Sequence, residues 1–523
     1  MKTLRSAVLL TVLAVAAAAC SDSDSGSSGN VPDAAREIMA KPNYSTARWI
    51  YYVVDAESGE VLLENRPDEM IYTGSTAKNF TVGSVYETLG PETTLTTPIY
   101  ATAPVADGVV PGDVVLVASG DFVLGGRGGI EGKVEHTFYQ DTVDHVYANI
   151  APNARPTSDV GDPLAGLNDL AQQVKASGVN RIDGDVLIDT RLFETYSGGD
   201  GGVTPIFVND NLLDVTVTAG SPATIVVSPQ TSAYSVVSQV DTVAADEDSS
   251  LSVEPDPTDP TKLIVSGSIA EGKSQLTTYQ VPDPADWARV LLIEALGRAG
   301  VSVGAPPNRP NNEGALPAPA AFTDDRKLAS LQSPPLSAMG AMILETSYNA
   351  GANDFLCLLA VERGSTDCAA GLETIYDLAG KAGLDTTAVF LTDGQGGDPA
   401  STTPRQMTKW VQWAKAQPWG QAFFDGQPVL GESGSLAPYG GDSPAKGKVA
   451  AKAGTGVALN PVNGRLLSNV QSLAGYITLD DGTLLAFDLA MGGATFDELY
   501  DGLVQAGGDL AGVAAAFQEG LGS

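Results

Sequence analysis

Positive charge is scarce in this chain. Its 523 residues hold 29 Lys and Arg against 63 Asp and Glu, a formal net charge of −34. That balance excludes a cationic face able to track a phosphate backbone, so nucleic acid is not a partner, and it makes an anionic membrane a poor direct one. Histidine is scarcer still: only His136 and His145. Together with Cys20, Cys357 and Cys368 they make no spacing that reads as a zinc site. A Ser-His-Asp hydrolase would need one of these two histidines as its base. The nearest nucleophile-elbow pattern, Gly431-Glu432-Ser433-Gly434-Ser435, fails at its last position. The N-terminal apolar run, Ala7–Ala19, is too short to span a bilayer. No internal repeat is visible.

What the N-terminus does have is a targeting pattern. Lys2 and Arg5 precede the apolar run, which ends in Ala17-Ala18-Ala19-Cys20 and passes into the polar string Ser21–Gly29. This resembles a bacterial lipoprotein signal: residues 1–20 as signal peptide, Cys20 as the lipidated residue, residues 21–43 as a flexible tether. Ala17 stands where such signals often carry leucine, so ordinary cleavage after an Ala-x-Ala site stays open. Either way the protein is exported to the cell envelope or periplasm, and touches a membrane only through a lipid anchor. In that compartment Cys357 and Cys368 form either a disulfide or two buried free thiols.

A chain this long is expected to hold two or three domains. Trp49–Asp55 reads as a buried strand and Val61–Asn65 as its return, followed by a loop and a helix over Ser75–Leu89. From 94 to 321 the texture becomes β-rich, with short β-branched runs such as Val114–Val117 and Asp214–Thr218 and about one helix near Leu167–Ser177. Helical patterns then resume over Leu336–Glu345, Leu356–Val361, Gly371–Ala382 and Arg405–Ala416. Strands return at Ser472–Ile477 and Leu484–Leu489, and a final helix is expected over about Asp497–Ala506, followed by a further one over Asp509–Phe517. The pattern predicts an α/β domain over 44–93 and 322–523, interrupted by a large β-rich insertion over 94–321.

Three short motifs carry chemistry. Ser75-Thr76-Ala77-Lys78 places a serine and a lysine three apart at a helix start, on one face, where an amine can take the hydroxyl proton. Ser347-Tyr348-Asn349 offers a second hydroxyl to relay protons and an amide to hold substrate and orient the lysine. Lys452-Ala453-Gly454-Thr455 reads as an edge strand opening onto a site. There Lys452 supplies positive potential for a carboxylate, Gly454 admits substrate to the backbone, and the Thr455 and Ser75 amides form an oxyanion hole. Decoys exist: Ser443 to Lys446 repeats the first spacing in a loop, and Lys381-Ala382-Gly383 reads as a helix end.

In order and spacing the three motifs resemble the signature of the penicillin-binding-protein superfamily, Ser-x-x-Lys, Ser-x-Asn and Lys-Thr-Gly. The long gap after the first motif is similar to the D-alanyl-D-alanine carboxypeptidases/endopeptidases of the penicillin-binding-protein-4 type, peptidase family S13. Further matches are Val208-Asn209-Asp210-Asn211, Ser333-Pro334-Pro335-Leu336, Asp393-Gly394-Gln395-Gly396, Thr403-Pro404-Arg405 and Ser472–Tyr476. The resemblance covers roughly residues 44–495. It implies a transpeptidase-like α+β domain, an antiparallel sheet flanked by helices, shared with serine β-lactamases. It implies catalytic Ser75, Lys78, Ser347, Asn349 and Lys452, substrate-binding Gly454 and Thr455, peptidoglycan peptides as substrates, β-lactams as covalent inhibitors, and no metal or other cofactor.

Two positions depart from the family pattern. Ala453 stands where a threonine or serine hydroxyl would contact the terminal carboxylate, and Gln395 where the Asp-Gly-Ser-Gly turn has serine. Ala453 keeps open a catalytically weakened, peptidoglycan-binding lipoprotein. A serine β-lactamase or esterase on the same scaffold is a further alternative, although the large insertion is unlike those enzymes.

Overall fold

The structure, a computed structural model, describes residues 30–136, 142–198 and 202–522. The signal segment, Cys20 and the first part of the tether lie outside the described residues. Among those described, no helix is long and apolar enough to cross a membrane.

The described part of the tether expected to be flexible over 21–43 is folded. Asp33–Met39 forms helix α1 and lies against the C-terminal helix, α6 (Leu499–Leu521). Ala35 and Ile38 of α1, with Val31 just before it, pack against α6, and the Tyr44 hydroxyl donates to Asp509 at 2.7 Å.

The part of the chain that carries the three motifs is built on one antiparallel sheet between helices. β1 (Arg48–Asp55), β2 (Val61–Asn65), β3 (Val449–Leu459), β4 (Leu466–Thr478) and β5 (Leu484–Gly492) run in the order β2-β1-β5-β4-β3, with β3 at the edge. Successive side chains of a strand face opposite sides. Tyr51 and Val53 therefore join the α6 side with Phe487, Leu489 and Phe517. Tyr52 and Val54 join the other side, with Phe80, Trp410, Ala474 and Tyr476. Burial on both faces explains why β1 reads as an unbroken apolar run.

Four helices cover the second face or flank it: α2 (Lys78–Thr88), α3 (Leu336–Glu345), α4 (Asn349–Glu362) and α5 (Pro404–Lys415). Trp410 of α5 stacks at 4.9 Å on Phe80 of α2 and donates its indole N–H to the Asn79 carbonyl at 2.8 Å. That bond fixes the helix whose first residue is Lys78. Cys357 of α4 and Cys368 are joined as a disulfide, which resolves the pair left open by the sequence. The two helices expected at the C-terminus are one. Gly507 and Gly508 lie inside α6 and face the Tyr439 ring, where a Cβ at 507 would approach the hydroxyl to 2.8 Å.

The insertion carries its own core around Leu116, Ile188, Leu213, Leu263 and Leu291. It is β-rich, but it holds two α-helices, Ala165–Ala176 and Pro284–Arg298. The second has Asp283 as N-cap, accepting from the Ala285 and Asp286 amides, and Pro284 at its first position. Its C-terminal boundary falls later than 321: Lys327–Gln332 pairs antiparallel with Thr96–Ala101. The insertion docks on the helical side through Phe122, whose ring lies 5.5 Å from Tyr348 and 5.9 Å from Phe355.

Candidate active site

The nucleophile candidate sits on a tight turn rather than on the helix proper. Gly74–Ala77 forms a 3-10 turn that runs into α2. Its start is pinned at Thr73: the Thr73 amide donates to Ala400 O at 2.9 Å, and its carbonyl accepts from Thr76 Oγ1 at 2.8 Å and Ser472 Oγ at 2.7 Å. Gly74 takes φ +49° and presses against β3, where an added Cβ would lie 2.7 Å from the Thr455 nitrogen. Gly454 is equally confined, with the Thr76 nitrogen 2.9 Å from its would-be Cβ. Two glycines thus let an edge strand and a turn meet backbone to backbone.

Ser75 is half-buried and Lys78 fully buried. Lys78 Nζ lies 2.7 Å from Ser75 Oγ, 2.7 Å from Asn349 Oδ1 and 3.0 Å from the Gln395 carbonyl. A neutral amine has two N–H bonds and one lone pair. The two carbonyl oxygens can accept both N–H bonds, which leaves the lone pair for the Ser75 hydroxyl. That is the arrangement a base needs to take a serine proton.

Asn349 opens α4 and Ser347 lies in the connection from α3, with φ +60°. Gln395 belongs to a loop built on Asp393, whose Oδ1 accepts the amides of Gln395, Gly396 and Gly397 at 3.0, 2.7 and 3.1 Å. The loop delivers the Gln395 carbonyl to Lys78. The Gln395 side chain accepts from Asn353 Nδ2 at 3.1 Å, and Asn353 Oδ1 accepts the Gly394 amide at 2.9 Å. Glutamine at this position therefore ties the loop to α4 one turn beyond Asn349. Asp393 and Asn353 were not singled out as functional from the sequence. The Asp-Gly-x-Gly run is a local signal for Asp393; Asn353, on α4, has none.

Lys452 lies on β3 in register with Ala474, fully buried, with Nζ 2.6 Å from the Ala453 carbonyl. Burial, and then the nearby Lys78 amine, hold its pKa well below the ordinary lysine value. Thr455 is exposed and its hydroxyl donates to Gln471 Oε1 at 2.9 Å. A cavity of about 420 Å³ opens beside Asn349, between the insertion and α4, with Tyr147, Asp210, Asn353 and Gln395 among its walls.

The decoys and the two histidines are engaged elsewhere. Ser443 donates to Glu519 at 3.0 Å, His136 pairs with Glu345 at 2.6 Å, and His145 is buried between Asp210 and Asp214. Among the described residues no group of three His, Cys, Asp or Glu side chains is arranged to hold a metal ion.

An antiparallel sheet sandwiched by helices, with a large insertion after the first helix of the site, is the architecture of the penicillin-binding peptidases. Within that class the chain belongs to the D-Ala-D-Ala carboxypeptidase 3 (S13) family, whose model matches residues 33–506. Membership makes it a serine-type D-Ala-D-Ala carboxypeptidase hydrolase. Its fold is similar to penicillin binding protein 4 (dacB) from Haemophilus influenzae, at 17% identity and a TM-score of 0.67, over 94% of this chain and 99% of that one. The same protein complexed with a novel β-lactam matches at 18% identity and a TM-score of 0.66, over 93% and 99% of the two chains. No curated protein matches the chain in sequence.

Proposed function

We propose that the chain hydrolyses D-alanyl-D-alanine bonds of peptidoglycan stem peptides and crosslinks through an acyl-enzyme on Ser75, and that β-lactams acylate the same residue. The observation that carries this reading is the 2.7 Å contact of Lys78 Nζ with Ser75 Oγ, made by an amine also within reach of two carbonyl oxygens.

Lys78 takes the Ser75 proton as Oγ attacks the penultimate carbonyl carbon. The oxyanion is received by the Ser75 and Thr455 amides. As the C–N bond breaks, the departing D-alanine amine gains a proton, relayed through the Ser347 hydroxyl, and Asn349 holds the substrate amide. Water then cleaves the ester and restores the Ser75 hydroxyl. Lys452 meets the terminal carboxylate, with Gly454 and Thr455 lining the edge strand beside it. The β-lactam bound to the H. influenzae protein of similar fold supports the inhibitor class. Export through residues 1–20, lipidation at Cys20 and the discontinuous catalytic domain belong to the same reading.

Fluorescent penicillin applied to residues 21–523 tests it. Stable labelling that is lost in Ser75→Ala is the expected outcome. Rapid turnover of the drug would indicate a β-lactamase. Absence of labelling with retained muropeptide binding would indicate the weakened wall-binding module that Ala453 suggests.

A further inference from the structure

The insertion touches the Ser-x-Asn connection through the Tyr147 hydroxyl. Tyr147 ends a short 3-10 turn, His145–Tyr147, and its hydroxyl donates to the Ser347 carbonyl at 2.8 Å. Ser347 is a non-glycine residue at φ +60°, a conformation that persists only where the surroundings over-determine it. From the α3 side it is held by the Tyr348 amide, which donates to Ile343 O at 3.1 Å. From the other side it is held by Tyr147. The peptide after Ser347 helps set the direction of the Cα–Cβ bond that carries the hydroxyl, so Tyr147 bears on the residue that relays the proton.

The turn that carries Tyr147 is itself bolted down. His145 is fully buried, with Nδ1 2.7 Å from Asp214 Oδ1 and Nε2 2.6 Å from Asp210 Oδ2. Arg127 forks onto Asp144 at 2.7 and 2.9 Å and reaches Asp210 at 2.8 Å. Asp214 also accepts the Thr157 amide at 3.2 Å. Asp210 sits in a run of three left-handed residues, Asn209, Asp210 and Asn211, and faces the buried Tyr348 hydroxyl. Buried charges retained at such cost are best explained where they hold a geometry. Here the held geometry ends at Tyr147.

We propose that Tyr147 is a positioning residue that acts through Ser347, delivered to it by the buried Arg127–Asp144–His145–Asp210–Asp214 cluster. The proposal rests on Ser347 being the proton relay of the acyl-enzyme reading.

The test is a cycle of Tyr147→Phe, Ser347→Ala and the double variant. It reads kcat and KM on a D-Ala-D-Ala peptide and the rate of acylation by fluorescent penicillin, with a thermal melt of each protein. Tyr147→Phe keeps the ring and removes only the hydroxyl. It is expected to lower kcat by about tenfold to a hundredfold with KM and Tm nearly unchanged, since a displaced proton relay forfeits part of a general acid–base contribution. In the Ser347→Ala background the same change is expected to cost nothing further. An equal loss in both backgrounds, or a rise in KM at constant kcat, overturns the proposal, because Tyr147 would then act on the substrate itself. Ser347→Ala as active as the parent overturns the relay reading and the proposal with it. Loss of labelling in Ser75→Ala tests the acyl-enzyme reading separately.

Discussion

Gly74→Ala isolates the contact between the nucleophile turn and the edge strand. Alanine at φ +49° pays the left-handed penalty of about 1–2 kcal/mol, which is a stability effect. The larger effect is geometric. The new Cβ would lie 2.7 Å from the Thr455 nitrogen, 3.0 Å from the Thr455 oxygen and 3.1 Å from the Gly454 carbonyl carbon. All three are backbone atoms, so no side chain can swing away. Relaxing the shortest contact to an ordinary 3.4 Å moves the Thr455 amide back by about 0.7 Å. β3 can make that move because at Thr455 it is paired only with β4; its other edge is bridged further back, at Ala450 to Val429. The displaced amide is one of the two proposed oxyanion donors, and a misplacement approaching 1 Å is worth about a hundredfold in rate, or ~2.7 kcal/mol. The assay is the second-order rate of acylation by fluorescent penicillin, alongside a thermal melt that confirms folding. Acylation within threefold of the parent, in a protein that still folds, would refute the assignment of the Thr455 amide to the oxyanion hole.

Three further outcomes are expected. Ala453→Thr restores a hydroxyl toward the substrate carboxylate, and a charge-assisted hydrogen bond of about 1.5–3 kcal/mol should raise kcat/KM on a free D-Ala-D-Ala peptide by roughly tenfold or more. The C-terminal amide of the same peptide should gain nothing, and an unchanged value on the free peptide ends the idea. Lys452 is buried with its pKa held well below the ordinary lysine range, so the empty site favours a neutral amine and an arriving carboxylate favours the ammonium. Binding therefore takes up a proton: KM for the carboxylate peptide should rise with pH, and Lys452→Met should flatten that slope while raising KM throughout. Asp121 is buried, which pushes its carboxyl up to about 6 against the opposing Leu124 and Val123 amides. Its folded pKa exceeds the unfolded value, so its contribution is complete below 3.8 and is lost as pH rises through about 6. Asp121→Asn keeps the oxygen that accepts those two amides. It should be more stable than the parent by up to about 3 kcal/mol at pH 7 and equal to it at pH 3, as read by urea unfolding. Equal stability at both values would sink the argument.

The candidate groups of the site are legible in the sequence because each motif is local. Ser75 and Lys78 are separated by one turn, Ser347 and Asn349 flank a helix start, and Lys452 to Thr455 lie along one strand. What the sequence hid is what depends on distant pairing. Lys327–Gln332 looks like the onset of the helical region and belongs to the insertion only because it pairs with Thr96–Ala101. Asp33–Met39 reads as tether because its apolar stripe is short, and it becomes a helix only against α6. Gln395 acquires a role only when its carbonyl is seen beside Lys78 and its side chain beside Asn353. Pro284–Arg298 did carry a local start signal in Asp283-Pro284, but its apolar run is of the kind that periodicity alone does not separate from a buried strand.

The placement of the insertion follows from the same contacts. Its two ends are laced together at their root: the Ser333 amide donates to Leu95 O and the Leu95 amide to Ser333 Oγ, both at 2.9 Å, and the Leu336 amide donates to Thr93 O at 2.9 Å. A domain joined only there could pivot about its stem. Phe122 packed on Tyr348 and Phe355, and Tyr147 bonded to the Ser347 carbonyl, add anchorage at the Ser-x-Asn connection. Anchorage at the root and at the site removes that freedom. The same anchorage makes one wall of the cavity beside Asn349 from the insertion and the other from α4, so the wall contributed by residues 146–150 and 207–212 cannot shift without moving the residue that holds Ser347. On the proposed reading, substrate binding on the insertion side and orientation of the Ser347 relay become one task, which gives the buried cluster around His145, remote in sequence from Ser75, a role at the site.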